Sequence, residues 1–365
     1  MRVLIVKLSS IGDVVHTLPA AALLRKALPQ ARIAWVVERR VSAILKGSPV
    51  IDELVEIDSR DWRKELFSRT GIGARLSDLG VSSGSDLKRP IDIAVDFQGL
   101  MKSGLLAVVS RASRRIGFET DELREKPSRM FLTEQVETSQ LRHVIEKNLA
   151  LAGAALNGSA EPAADKPANF SYEFPIAVSA EDEKYVAEAL ENQNEIGGRE
   201  FAILNPGGGW RTKLWPPESF AEVGDWLWSE CGLGSFVTFG PGEEALAQRV
   251  ADQARSRMVR TIPSTIKQYV ALARLASLFV GGDTGPLHLA AASRTPIVAI
   301  YGPTSPERNG PFDERDITVG RDLWCRSDCH RRTCWHWECM DISVSDVKQA
   351  ILNRLSCTRS ASREL

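Results

Sequence analysis

An α/β protein built of two doubly wound parallel-sheet domains is predicted by three features of the sequence. Short apolar runs rich in Val, Ile and Leu alternate with longer amphipathic segments. The alternation occurs twice, and a stretch without periodicity separates the two rounds. The 365 residues suffice for two sizeable cores, and 43% hydrophobic with 25% charged residues excludes a mostly disordered chain.

In order along the chain, runs 3–6, 33–37, 54–57 and 91–95 predict the strands of the first domain. Runs 201–204, 236–239, 259–262, 278–280 and 297–300 predict those of the second. Helices are expected over 14–28, 62–79, 217–231 and 244–256, with a final helix over 343–355 and a frayed tail from 356. The Ala-, Pro-, Asn- and Ser-rich stretch near 157–175 reads as a linker. The expected division is 1–160, a linker 161–176, 177–342 and a C-terminal helix and tail 343–365. Ligands of such sheets sit beyond the carboxyl ends of the strands, so the site is expected in a cleft between the domains.

Lys plus Arg number 46 and Asp plus Glu 47, for a net charge of −1. That lacks the basic surplus of a general nucleic-acid binder, and no nucleic-acid partner is expected. The charge is slightly positive over the first 165 residues and slightly negative thereafter. No apolar run reaches the ~20 residues of a membrane span, and the opening MRVLIVK is too short for a leader, so a cytoplasmic location is expected. Arg111, Arg114 and Arg115 lie close in sequence. They read equally as a weak contact for an anionic membrane surface or as a solvated face.

Four strand-to-helix turns carry the chemistry. In KLSSIGDVVHTLPA, from Lys7 to Ala20, polar residues follow the first strand at once. Gly12 permits close backbone approach, and Asp13 stands where it either caps the next helix or faces a ligand. His16 reads as a packed, non-catalytic histidine. In NPGGGWRTKLWP, from Asn205 to Pro216, the glycines, Gly208 among them, would let N–H groups approach an anion, with Arg211 and Lys213 adding positive charge. Neither a P-loop nor a G-x-G-x-x-G fingerprint is present. In FGPGEE, from Phe239 to Glu244, the acidic pair either favours the helix start or accepts from ribose hydroxyls. In FVGGDTGPLHLAAA, from Phe279 to Ala292, Asp283 or Thr284 caps a helix whose start is an anion site. There Asp283 is expected to orient the loop and fix Thr284. His288 either reaches a phosphate or sugar or packs the helix start. Together the turns fit a nucleotide diphosphate held by the second domain, with Asp13 facing it from the first.

Cys325, Cys329, Cys334 and Cys339 follow the spacing C-x3-C-x4-C-x4-C, with His330 and His336 between them. A zinc or iron–sulfur site, reduced packing cysteines and an occasional disulfide are all compatible with that spacing. No C-x-x-C pair is present, and no metal ligand is assigned.

The four turns together, with DFQGLMKSG from Asp96 to Gly104, the Lys213–Pro216 stretch and YGPTSP from Tyr301 to Pro306, resemble glycosyltransferase family 9, the ADP-heptose:lipopolysaccharide heptosyltransferases. The opening segment is most similar to the branch that adds the first inner-core heptose. The resemblance implies a GT-B architecture and an inverting, metal-independent transfer of L-glycero-D-manno-heptose from ADP-heptose. The acceptor would be a hydroxyl of Kdo-lipid A or of inner-core heptose in lipopolysaccharide. No cofactor is implied beyond the donor. It implies Asp13 as general base and Lys213 as the cation steadying the diphosphate. Gly12, Gly208, Glu243, Asp283, Thr284, Gly285 and His288 would serve the donor, and Lys7, Ser10, Arg60, Arg63 and Arg124 the acceptor. Burial in a closed cleft is expected to raise the Asp13 pKa. A weak peripheral contact with the inner membrane goes with a lipid-borne acceptor. The alternatives are a GT-B transferase for another nucleotide sugar or acceptor, and a non-catalytic nucleotide-sugar-binding protein.

Overall fold

The computed structural model describes residues 1–58, 91–156, 172–193, 196, 198–325, 329, 332–335 and 337–361. The chain divides into two compact units, Met1–Ala177 and Val178–Leu365.

In the first unit, β1 (Arg2–Val6), β2 (Arg32–Glu38), β3 (Glu53–Ile57), β4 (Ile93–Asp96), β5 (Arg114–Phe118) and β6 (Glu134–Val136) form one parallel sheet in the order β3-β2-β1-β4-β5-β6. Val3 to Val6 are buried, as a parallel strand covered on both faces requires. Val6 lies opposite Asp96, so the segments that follow β1 and β4 emerge side by side at the point where strand order reverses.

The single helix expected over 14–28 is two, α1 (Ile11–Val15) and α2 (Leu18–Ala27). Pro19 has no N–H to continue a helix from α1 but fits the first turn of a new one. Asn148, on α4 (Val144–Ala155), seals the break by donating to the His16 carbonyl at 3.0 Å and to Thr17 Oγ1 at 3.2 Å. Between β4 and β5 lies α3 (Met101–Val109).

Strand β5 carries two of the three clustered arginines. Arg114 pairs in a fork with Glu134 at 2.6 and 2.7 Å, and Arg115 donates to the carbonyls of Phe131 and Ala112. Two of the three cations thus have partners inside the unit, and Arg111 is exposed.

In the second unit, β7 (Phe201–Asn205), β8 (Gly234–Val237), β9 (Val259–Thr261), β10 (Leu278–Gly282), β11 (Ile297–Tyr301) and β12 (Ile317–Gly320) form a parallel sheet in the order β12-β11-β10-β7-β8-β9. The unit opens with α5 (Ala180–Glu191), whose first turn is capped by the Ser179 hydroxyl. The connections are α6 (Pro217–Cys231), α7 (Glu244–Gln253), α8 (Ile266–Leu275), α9 (Gly285–Ala292) and α10 (Pro306–Asn309). Gly232, at φ 69°, ends α6 in the left-handed conformation that glycine adopts without strain.

The tail expected to fray from 356 instead continues α11 (Val344–Ala361). Its inner face joins Trp215, Phe220 and Leu227 in one core through Val347 and Ile351. The predicted helix 62–79 and most of the predicted linker lie outside the described residues. Among the described residues, no helix is long and apolar enough to cross a membrane.

Candidate active site

Asp13 stands at the third position of α1, one turn beyond the end of β1. Its Oδ2 accepts from the Ser10 N–H at 2.8 Å and the Ser10 hydroxyl at 3.2 Å, so it serves the helix start. Its Oδ1 meets Arg124 at 2.9 Å and the Lys7 ammonium at 3.7 Å. Capping and charge pairing, alternatives in the sequence, therefore coexist on one carboxylate. Lys7 is 3% exposed and also donates to the Phe97 carbonyl at 2.7 Å, whereas Arg124 is 43% exposed. Burial pushes the Asp13 carboxyl up, but Lys7, then Arg124, then the Ser10 N–H outweigh it and hold it well below the usual carboxylate range. The expected upward shift is thereby reversed, because burial has brought two cations with it.

His16 packs edge to face on His143 with ring centroids 5.8 Å apart, and adds a minor downward pull on the Asp13 carboxyl. Gln98, on the segment after β4, was not among the predicted site residues. Its Oε1 accepts the Leu8 and Ser9 N–H groups, and the one sequence signal for it is that DFQG follows a buried strand directly.

In the second unit, the carboxyl ends of β7, β8 and β10 bring together the other three turns. Lys213 Nζ donates to Asp283 Oδ2 at 2.5 Å and to its carbonyl at 3.1 Å, and lies 4.6 Å from the Trp210 ring centre. Asp283 also accepts from Thr304 Oγ1 and Asn309 Nδ2, both at 2.8 Å, and faces His288 Nε2 at 3.3 Å. Burial raises its carboxyl, yet His288 and Lys213 together hold it well below the usual range. Asp283 thus joins the turn carrying Lys213, the helix carrying His288 and the stretch after β11, but Thr284, which it was expected to fix, is held elsewhere: its hydroxyl reaches Asn205 Oδ1 at 3.4 Å. Thr284 is the cap residue of α9, and its side chain makes no capping bond.

Glu243 ties two of the turns together, accepting from Gly208 N–H at 3.0 Å and Gly240 N–H at 2.9 Å. The Gly208 N–H, expected to face an anion, is therefore engaged. A Cβ on its neighbour Gly207 would overlap the Glu243 carboxylate, so a larger residue there would displace that carboxylate from its two N–H donors.

The model of glycosyltransferase family 9 (heptosyltransferase) matches residues 82–336, more than two-thirds of the sequence. The chain belongs to glycosyltransferase family 9. Among its relatives, the lipopolysaccharide heptosyltransferase 1 of Pseudomonas aeruginosa is 28% identical over 343 residues, covering 92% of this chain and 87% of the relative. That of Escherichia coli K12 is 27% identical over 87% of this chain and 92% of its own. The E. coli heptosyltransferase WaaC, solved with ADP, superposes with a TM-score of 0.71 at 25% identity, over 97% of this chain and 100% of its own. The two six-stranded parallel sheets of this family 9 chain are the GT-B architecture of those neighbours, and the chain is a glycosyltransferase.

The remaining predicted site residues of this family 9 enzyme are placed as follows. Gly12 is buried within α1, in the first unit, and Gly285 opens α9 in the second. Arg60 and Arg63 lie outside the described residues. Cys325, Cys329, Cys334 and Cys339 are free thiols; only Cys339 is buried, and Cys325 is exposed. Among the described residues, no group of three or more His, Cys, Asp or Glu side chains is arranged to hold a metal ion.

Proposed function

We propose that this chain is the enzyme of lipopolysaccharide core synthesis that transfers L-glycero-D-manno-heptose from ADP-heptose to a hydroxyl of Kdo-lipid A or of inner-core heptose, with inversion and without a metal. The observation that carries the reading is the convergence of Lys213, Glu243, Asp283 and His288 at the reversal point of the second sheet. Such a point is where parallel sheets hold nucleotides. The family supports it, as do the names of the relatives, one of which was solved with ADP and again with ADP-2-deoxy-2-fluoro heptose.

In this reading the nucleotide sits on the second unit. Lys213, delivered by the β7 turn, and the N–H groups at the start of α9 stabilise charge developing on departing ADP. Glu243 has one further lone pair on each oxygen for the ribose hydroxyls. Asp13 takes the proton of the acceptor hydroxyl as that oxygen bonds to the anomeric carbon on the face opposite ADP. The first unit supplies the acceptor's ligands. Arg124, the more exposed of the two cations on Asp13, is the one an acidic acceptor can draw away. The reading sets the enzyme at the cytoplasmic face of the inner membrane, where a soluble donor meets a lipid-borne acceptor.

The test is ADP release from ADP-, UDP- and GDP-sugars against Kdo-lipid A and heptosylated inner-core acceptors. Release from ADP-heptose alone among the donors, and only with acceptor present, is expected. Binding without release in every mixture means a carrier rather than a transferase.

A further inference from the structure

The segment carrying Asp13 is held from both neighbouring strands, by different means. On the β2 side the hold is backbone to backbone: the Glu38 N–H donates to the Leu8 carbonyl at 3.0 Å. On the β4 side, where the Lys7 ammonium also reaches the Phe97 carbonyl, the backbone of Leu8 and Ser9 is held by one side chain. The N–H groups of Leu8 and Ser9 both donate to Gln98 Oε1, at 3.0 and 3.3 Å. Gln98 is 3% exposed. Its own N–H donates to Asp96 Oδ1 at 2.8 Å, and the Gly99 N–H joins it at 3.1 Å. The Ser103 hydroxyl closes the other oxygen of Asp96 at 2.8 Å, so the platform under Gln98 is saturated with bonds.

We infer that Gln98 is a positioning residue for Asp13: it fixes Leu8 and Ser9, and so the Ser10 N–H that orients the carboxylate. The inference rests on the reading of Asp13 as base. A neutral acceptor is what this place requires. Glutamate would have similar reach, but would set a third carboxylate beside Asp13 and the buried Asp96. An aliphatic side chain would leave the buried Leu8 N–H without its acceptor, and the segment would move to find another.

Base catalysis is sensitive to such movement, since a displacement of about 1 Å at the reacting groups can lower turnover roughly 100-fold. The donor ligands proposed for the second unit should not respond.

The test is steady-state ADP release from ADP-heptose with Kdo-lipid A, on the full chain, for Gln98→Leu alone and combined with Asp13→Asn. Expected for Gln98→Leu is kcat lower by about 10- to 100-fold with KM for ADP-heptose within about twofold. In the Asp13→Asn background the same substitution is expected to change kcat by less than about twofold, since residues acting through one group are not additive. If Gln98→Leu does not fold, as judged by thermal melting, Gln98→Asn takes its place; its amide is one methylene short of both N–H groups, and the same outcomes are expected. Wild-type kcat in the single variant overturns the inference, as does an equal fold-loss in both backgrounds, which marks a merely structural role. Full turnover in Asp13→Asn alone overturns the base reading first, and is a different signature.

Discussion

Asp13 is assigned proton abstraction while two cations hold it ionised. An unperturbed aspartate, with a pKa near ~3.9, is already a weak base toward a hydroxyl, and Lys7 and Arg124 weaken it further. Proton transfer must therefore come late, when the forming bond to the anomeric carbon has acidified the hydroxyl. Asp13→Asn is expected to lower turnover by about 10²–10⁴. ADP affinity measured by calorimetry should stay unchanged, because the proposed ADP ligands lie in the second unit. The pH dependence follows from the sign of the shift. A carboxyl held below its ordinary value stays charged as pH falls through that value, so kcat/KM should show no acid limb from this group between pH 7 and 5. Arg124→Ala removes one cation and should move that limb upward in a pH–rate profile. The same pairing stabilises the fold above the ordinary carboxylate value, and the stabilisation is lost as pH falls toward the depressed one.

At the scale of elements, the edge of the second sheet carries a second buried pair. Arg354 of α11 donates to Asp316, at the approach to β12, at 2.9 Å, with both side chains under 5% exposed. Burial pushes the Asp316 carboxyl up to about 6, Asp313 adding to the rise, against Arg354 and the Ile297 N–H, which lower it. The folded state thus binds the proton more tightly than the unfolded chain. Its contribution is fully present below about pH 4 and is lost as pH rises through 6. Arg354→Met leaves a buried carboxylate without its cation, and should cost about 3–5 kcal/mol at pH 7 in denaturant unfolding, and less at pH 5, where Asp316 is protonated.

This edge also shows what a sequence reveals. Central strands such as β1, β7 and β10 are legible because burial on both faces demands continuous apolar runs. β6 reads Glu-Gln-Val and β12 alternates half-buried with exposed residues; as sheet edges they need neither pattern, and the sequence reading passes over both. β5 is hidden by its two leading arginines, whose charges are met by partners from other segments. The four site turns are legible because each follows a buried run directly. What they do once folded is not. The engagement of Gly208 by Glu243, 35 positions away, and of Asp13 by Arg124, 111 positions away, are products of tertiary structure that no local pattern encodes.

For the whole molecule, the proposed chemistry is divided between units that fold around separate cores, so substitutions should separate proton removal from the acceptor and stabilisation of departing ADP, two parts of one displacement. In that proposal departing ADP carries the developing charge and meets Lys213, which is held by a carboxylate that Thr304, Asn309 and His288 also bind. Those bonds keep the ammonium in place before the donor arrives, which is what makes such stabilisation effective. In the proposed reading, a fixed cation together with a helix start takes the place that a divalent ion has in metal-dependent transferases. Two results are then linked. Excess EDTA should leave ADP release at its full rate, and added Mg²⁺ should not raise it. Lys213→Ala should lower turnover by about 10²–10³, the magnitude of losing one preorganised charge-stabilising donor, and weaken ADP affinity, while acceptor KM stays near its wild-type value. Acceptor KM rising alone would remove Lys213 from the donor site. Loss of activity in EDTA, restored by Mg²⁺, would mean that the charge on ADP is met by an ion and not by this lysine.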